Sequence, residues 1–69
     1  MVTTQHVREV LSSVAPQSAV GIELADGDIH MATAYTVAVD PGGKLTYCRH
    51  RGSLAEVGLE GVRSFWGLN

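Results

Sequence analysis

Apolar residues follow two different periods along this chain, and the change between them marks its first boundary. Val7, Val10, Leu11 and Val14 recur at i, i+3, i+4 and i+7, with His6, Arg8, Glu9, Ser12 and Ser13 between them. This stripe predicts an amphipathic helix over roughly residues 4–14 lying on a core. Thr3 or Thr4 caps its start, and Pro16 disfavours helical geometry at Ala15, which ends it. From Ser18 to Ala25 the period shortens to two: Val20, Ile22 and Leu24 alternate with Ala19, Gly21 and Glu23. That is the pattern of a half-buried strand.

Asp26-Gly27 then predicts a two-residue hairpin turn. Closing there pairs Leu24 with Ile29, Ile22 with Met31 and Val20 with Thr33, so all the apolar side chains share one face. The second strand is expected from Ile29 to Val39, with a bend near Ala34. Its core face carries Ile29, Met31, Thr33, Tyr35, Val37 and Val39, and its open face His30, Ala32, Ala34, Thr36 and Ala38. Asp40-Pro41-Gly42-Gly43 is a second turn, in which Pro presets φ and Gly accepts the left-handed position. A three-residue loop over Pro41-Gly42-Gly43 brings Leu45 and Tyr47 to the face of Val37 and Val39.

After the third strand, Ser53-Leu54-Ala55-Glu56 reads as a capping box. Leu54, Val57, Gly61, Val62 and Phe65 then approximate one face of a helix. Gly58 and Gly61 each cost that helix ~1 kcal/mol against Ala. The alternative is a short helical turn followed by a strand from Val62 to Trp66, which would make a small barrel-like fold. With the helix preferred, the expected fold is α+β: a single α-β-β-β-α two-layer domain over residues 1–69. Its three-stranded antiparallel sheet has both helices on one face.

Composition narrows the function classes. The chain has 69 residues, 45% of them apolar and 17% charged, which suits one folded domain. So small a core rarely contributes more than ~3–5 kcal/mol, which makes self-association an expected source of stability. One Cys excludes an intrachain disulfide and a thiolate zinc site. The net charge of −2 argues against nucleic-acid binding driven by overall charge but leaves room for a local basic patch. No apolar run reaches the length of a membrane span, and the N-terminus lacks a signal-peptide core. A soluble, cytoplasmic protein is expected.

The one basic cluster is Arg49-His50-Arg51, just before Gly52-Ser53. Arg49, Arg51 and Ser53 are candidate anion or phosphate contacts at a helix start. Strand alternation places His50 on the opposite face from the arginines, so the triplet converges only at a frayed strand end. His30, which follows the Asp26-Gly27 turn, is a further candidate contact. Cys48 and His50 share a strand face at ~6–7 Å, too far for a direct hydrogen bond, so Cys48 is read as a small structural residue. No nucleophile–base pair, carboxylate pair, cofactor motif or metal constellation stands out, so no enzyme, cofactor or metal is expected.

The element order in a chain of this length resembles the double-stranded RNA-binding domain. "GDIHMATAYTVAV", from Gly27 to Val39, is similar to that family's Gly-x-x-His turn and aromatic-Thr-Val-x-Val strand. "DPGGK" resembles its short Asp-Gly-Lys turn, and "RGSLAEV" its Gly-Ser entry to the second helix. The resemblance implies a role for His30 at an RNA minor groove. The family's phosphate-binding lysines are replaced by Leu54 and Ala55, with Gly58 where a further lysine is expected. Members without RNA contacts serve as dimerisation or docking modules, and the resemblance implies that role too.

Two function classes follow. The favoured one is a non-enzymatic protein-interaction module, either a homodimer or an inhibitor that docks onto a larger protein. Its interface would use the small-residue sheet face of Ala32, Ala34 and Ala38 and an apolar strip of Leu59, Trp66 and Leu68. The alternative is duplex RNA binding through Arg49, Arg51, Ser53 and His30.

Overall fold

Thr3 opens the only α-helix among the described residues, which are 2–68 of a computed structural model. Helix α1 covers Thr4–Ser13, and the Thr3 hydroxyl accepts the His6 N–H at 3.0 Å. Val7 is fully buried, and Val10, Leu11 and Val14 pack against the core, as their spacing predicts. No described helix is long and apolar enough to cross a membrane.

Six strands follow: β1 (Ala19–Leu24), β2 (Ile29–Thr33), β3 (Ala38–Val39), β4 (Lys44–Cys48), β5 (Leu54–Gly58) and β6 (Val62–Leu68). They form two antiparallel three-stranded sheets, ordered β2-β1-β6 and β3-β4-β5. The fold is therefore α+β, but with one helix and two sheets in place of two helices on a single sheet. A 3-10 turn at Ala34–Thr36 bends the chain from β2 into β3, so this stretch contributes to both sheets. The bend falls where Ala34 was expected to break the long strand. Core side chains come from both sheets, among them Val20, Ile22 and Phe65 from one and Leu45 and Tyr47 from the other. The two sheets and α1 share one core.

The expected second helix is replaced by β5, a 3-10 turn at Leu59–Gly61, and β6. Gly58 and Gly61 weaken a helix, whereas Val57 and Val62 are β-branched and fit a pleated surface. As strands, these residues gain partners a helix could not offer: Val57 lies opposite Leu45, and Phe65 opposite Ile22. Arg63 is an extra residue in β6, since Leu24 lies opposite Val62 while Glu23 lies opposite Ser64. Its guanidinium fastens this bulge by donating to the Ala25 carbonyl at 2.9 Å and approaching Glu23 at 3.5 Å. The resemblance to the RNA-binding family leaned on a second helix that the structure lacks, and nothing else ties the chain to that family.

The first hairpin is shifted by one residue from its expected register. Ala32 lies opposite Val20 and His30 opposite Ile22. The loop holds three residues, Ala25-Asp26-Gly27: Gly27 N–H donates to the Leu24 carbonyl, and Gly27 takes φ 95°. A type I turn closed by a left-handed Gly supplies this geometry, and an added loop residue moves every side chain of β2 to the other face. Ala32 and Ala34 are consequently core residues, at 0% and 6% exposure, while Ile29 is 57% exposed and Tyr35 73%. The second hairpin keeps its expected register, with Val39 opposite Leu45 and Tyr47 in the core.

Candidate functional site

Arg49-His50-Arg51-Gly52-Ser53 is a hairpin turn, not a helix entry. The Arg49 N–H donates to the Ser53 carbonyl at 2.8 Å, and the Gly52 N–H to the Arg49 carbonyl at 2.7 Å. Gly52 takes φ 88°, a left-handed conformation that side-chain-bearing residues rarely adopt. Ser53 therefore caps no helix. It contributes its carbonyl to the turn and starts the run into β5.

The turn does not project freely into solvent. Arg49 bridges Ala32, and the His50 N–H donates to the Met31 carbonyl at 3.1 Å, fastening the β4–β5 connection to β2. These contacts join the two sheets at one corner. They also gather Ile29, His30, Met31, Arg49, His50 and Arg51 around a cleft of ≈ 180 Å³. The triplet lies past the end of β4 at Cys48, where strand alternation no longer separates its members. A turn supplies directions that a straight strand does not, and three of the four candidate anion contacts, His30, Arg49 and Arg51, line one cleft.

The floor beside this cleft contains a polar pair. His30 Nδ1 and the Tyr47 hydroxyl are 2.7 Å apart, with ring centroids separated by 5.8 Å at an interplanar angle of 55°. Tyr47 is 1% exposed. Burial raises its pKa above the ordinary tyrosine value of 10.0, an effect the nearby Arg49 charge partly opposes. His30 Nε2 approaches Asp28 Oδ2 at 4.0 Å, within reach of an electrostatic contact but not of a hydrogen bond.

Charge pairing sets the cleft's arginines apart from Lys44 and Arg63, though Arg8 on α1 likewise has no ion pair among the described residues. Lys44 faces Glu56 at 3.9 Å and Arg63 faces Glu23 at 3.5 Å. Arg49 and Arg51 have no carboxylate within salt-bridge reach among the described residues. Two exposed, unpaired guanidiniums beside Ile29 and Met31 form a surface suited to a carboxylate or phosphate with an apolar neighbour. Among the described residues no three His, Cys, Asp or Glu side chains group as metal ligands.

The residues of the expected protein interface do not share one open face. Ala32 and Ala34 are in the core, and Leu59 is 6% exposed, so these three line no open face. Ala38 is exposed on β3, Leu68 is 41% exposed at the end of β6, and Trp66 is half-buried. Trp66 instead borders a second groove of ≈ 540 Å³ between the start of α1 and β6, shared with Val2, His6, Arg63, Ser64 and Phe65. There His6 Nε2 meets the Phe65 carbonyl at 2.9 Å. This groove joins the two ends of the chain, and no local pattern in either announces it.

No protein-family model, curated protein or solved structure matches this chain.

Proposed function

We propose that this protein is a small, non-enzymatic interaction module that docks onto an acidic segment of a larger protein. The docking site is the cleft at the β4–β5 turn. The observation that carries this reading is the convergence of Arg49, His50, Arg51 and His30 around one cleft, with both arginines free of carboxylate partners among the described residues. Arg is suited to interfaces because its planar fork binds a carboxylate through two hydrogen bonds. Ile29, 57% exposed at the cleft wall, supplies apolar area beside the charges. A single cysteine fits a reducing, cytoplasmic compartment.

An acidic protein segment is favoured over nucleic acid on charge. Nucleic-acid affinity grows with the number of phosphates neutralised, and two arginines neutralise few. Titration of a short polyglutamate peptide and of a duplex RNA, each over a range of salt, tests the choice. The peptide should bind, and Arg49→Ala with Arg51→Ala should weaken it about tenfold or more. RNA binding tighter than the peptide, with a steep salt dependence, would establish the nucleic-acid reading instead. Binding of neither would overturn both.

Self-association is a second reading, supported by β5. This strand ends its sheet, and Leu54 at its start is 73% exposed. An unpaired strand edge is a template for another chain. Light scattering coupled to size exclusion should report a dimer, and a strict monomer at high concentration would refute it.

A further inference from the structure

We propose that Tyr47 is a positioning residue for the cleft: its hydroxyl donates to His30 Nδ1 and so fixes His30 as the Nε2–H tautomer. That tautomer is a neutral donor held beside the two arginines. The inference rests on the docking reading for its purpose, but its geometry stands apart from it.

Hydrogen-bond bookkeeping at a buried phenol carries the argument. The only hydrogen-bond partner of the Tyr47 hydroxyl among the described residues is His30 Nδ1, at 2.7 Å. If Nδ1 carried the imidazole proton and donated to the phenol oxygen, the hydroxyl proton would have no acceptor in a residue 1% exposed. A buried donor without a partner is costly, so the proton runs from oxygen to nitrogen. Burial also holds the phenol in its protonated form, which keeps the donor in place.

With Nδ1 acting as acceptor, the ring proton of neutral His30 sits on Nε2. Nε2 faces Asp28 at 4.0 Å, and the His30 side chain retains 13% exposure at the cleft. The Asp28 contact is long and its carboxylate is 73% exposed. A carboxylate brought in by a partner and held by Arg49 or Arg51 therefore finds a further donor already oriented. Fixing that donor beforehand removes part of the ordering cost of binding.

Long-range nitrogen–proton correlation spectra of the imidazoles, recorded at about pH 8 where free histidine is neutral, test the assignment. His30, assigned with a His30→Gln variant, should show an unprotonated Nδ1 and a protonated Nε2. In Tyr47→Phe the same ring should pass to a mixture of tautomers. Affinity for the polyglutamate peptide should then fall about threefold to tenfold. A protonated Nδ1 in the unaltered protein would overturn the proposal, as would an unchanged tautomer and affinity in Tyr47→Phe. If that variant fails to fold, the spectrum of the unaltered protein decides alone. If no peptide binds, the docking reading fails, while the tautomer still decides what Tyr47 does to His30.

Discussion

The indole of Trp66 lies against the backbone of Gly21, its direct partner across β1 and β6, and fills the space a β-carbon would occupy. A strand glycine loses side-chain packing, and an aromatic residue folding over it from the neighbouring strand restores that contact. The pair joins the central strand β1 to the edge strand β6, next to the Ile22–Phe65 pair.

Gly21→Ala should therefore displace the indole. Overpacking of this kind costs about 1–3 kcal/mol, a large fraction of the stability of so small a domain. The urea midpoint should fall, and emission from Trp66, the only tryptophan, should shift to longer wavelength as the ring becomes more exposed. An unchanged midpoint and an unchanged emission maximum would contradict the packing.

Stability should fall at alkaline pH because of Tyr47. Its folded pKa lies above 10.0, raised by burial and only partly offset by Arg49. The fold thus favours the neutral phenol. This contribution is fully present below the unfolded value near pH 10 and is lost as pH rises through the folded pKa. In a Tyr35→Phe background, phenolate absorbance should develop at higher pH than for free tyrosine. Melting temperatures of the protein and of Tyr47→Phe should converge above pH ~10, as the advantage of the neutral phenol disappears. A constant difference from neutral to strongly alkaline pH would exclude this linkage.

Gly52 links turn geometry to the cleft. Replacing it by Val places a β-branched residue at φ 88°. The left-handed conformation costs such a residue about 1–2 kcal/mol or more. Thermal unfolding should register that loss. Peptide affinity should fall as well, although no cleft-lining group is removed, because the turn orients Arg49 and Arg51. Full affinity in a destabilised Gly52→Val protein would separate the turn from the site.

Local patterns made α1, the Pro41-Gly42-Gly43 loop and the bend at Ala34 legible, because each depends on residues close together in sequence. The first hairpin shows where such reading stops. Asp26-Gly27 suits a two-residue turn, but Gly27 serves equally well as the left-handed third residue of a longer one. One residue of difference buried Ala32 and exposed Ile29. Beyond Ser53, a capping-box pattern competed with two glycines and β-branched valines, and the strand pairings of Val57 and Phe65 favoured β structure. Sequence singled out Arg49, Arg51 and His30 individually. Their convergence depends on the Met31–His50 contact between separate hairpins, which no local pattern encodes, and Tyr47 was legible only as a core residue.

The most direct test of the docking site is a map of backbone amide shifts as a polyglutamate peptide is added. The largest changes should fall on residues 29–31 and 49–51, two segments distant in sequence that the fold brings around one cleft. Changes concentrated instead on the β5 edge at 54–58, on the groove of His6 and Trp66, or nowhere at saturating peptide would contradict the account.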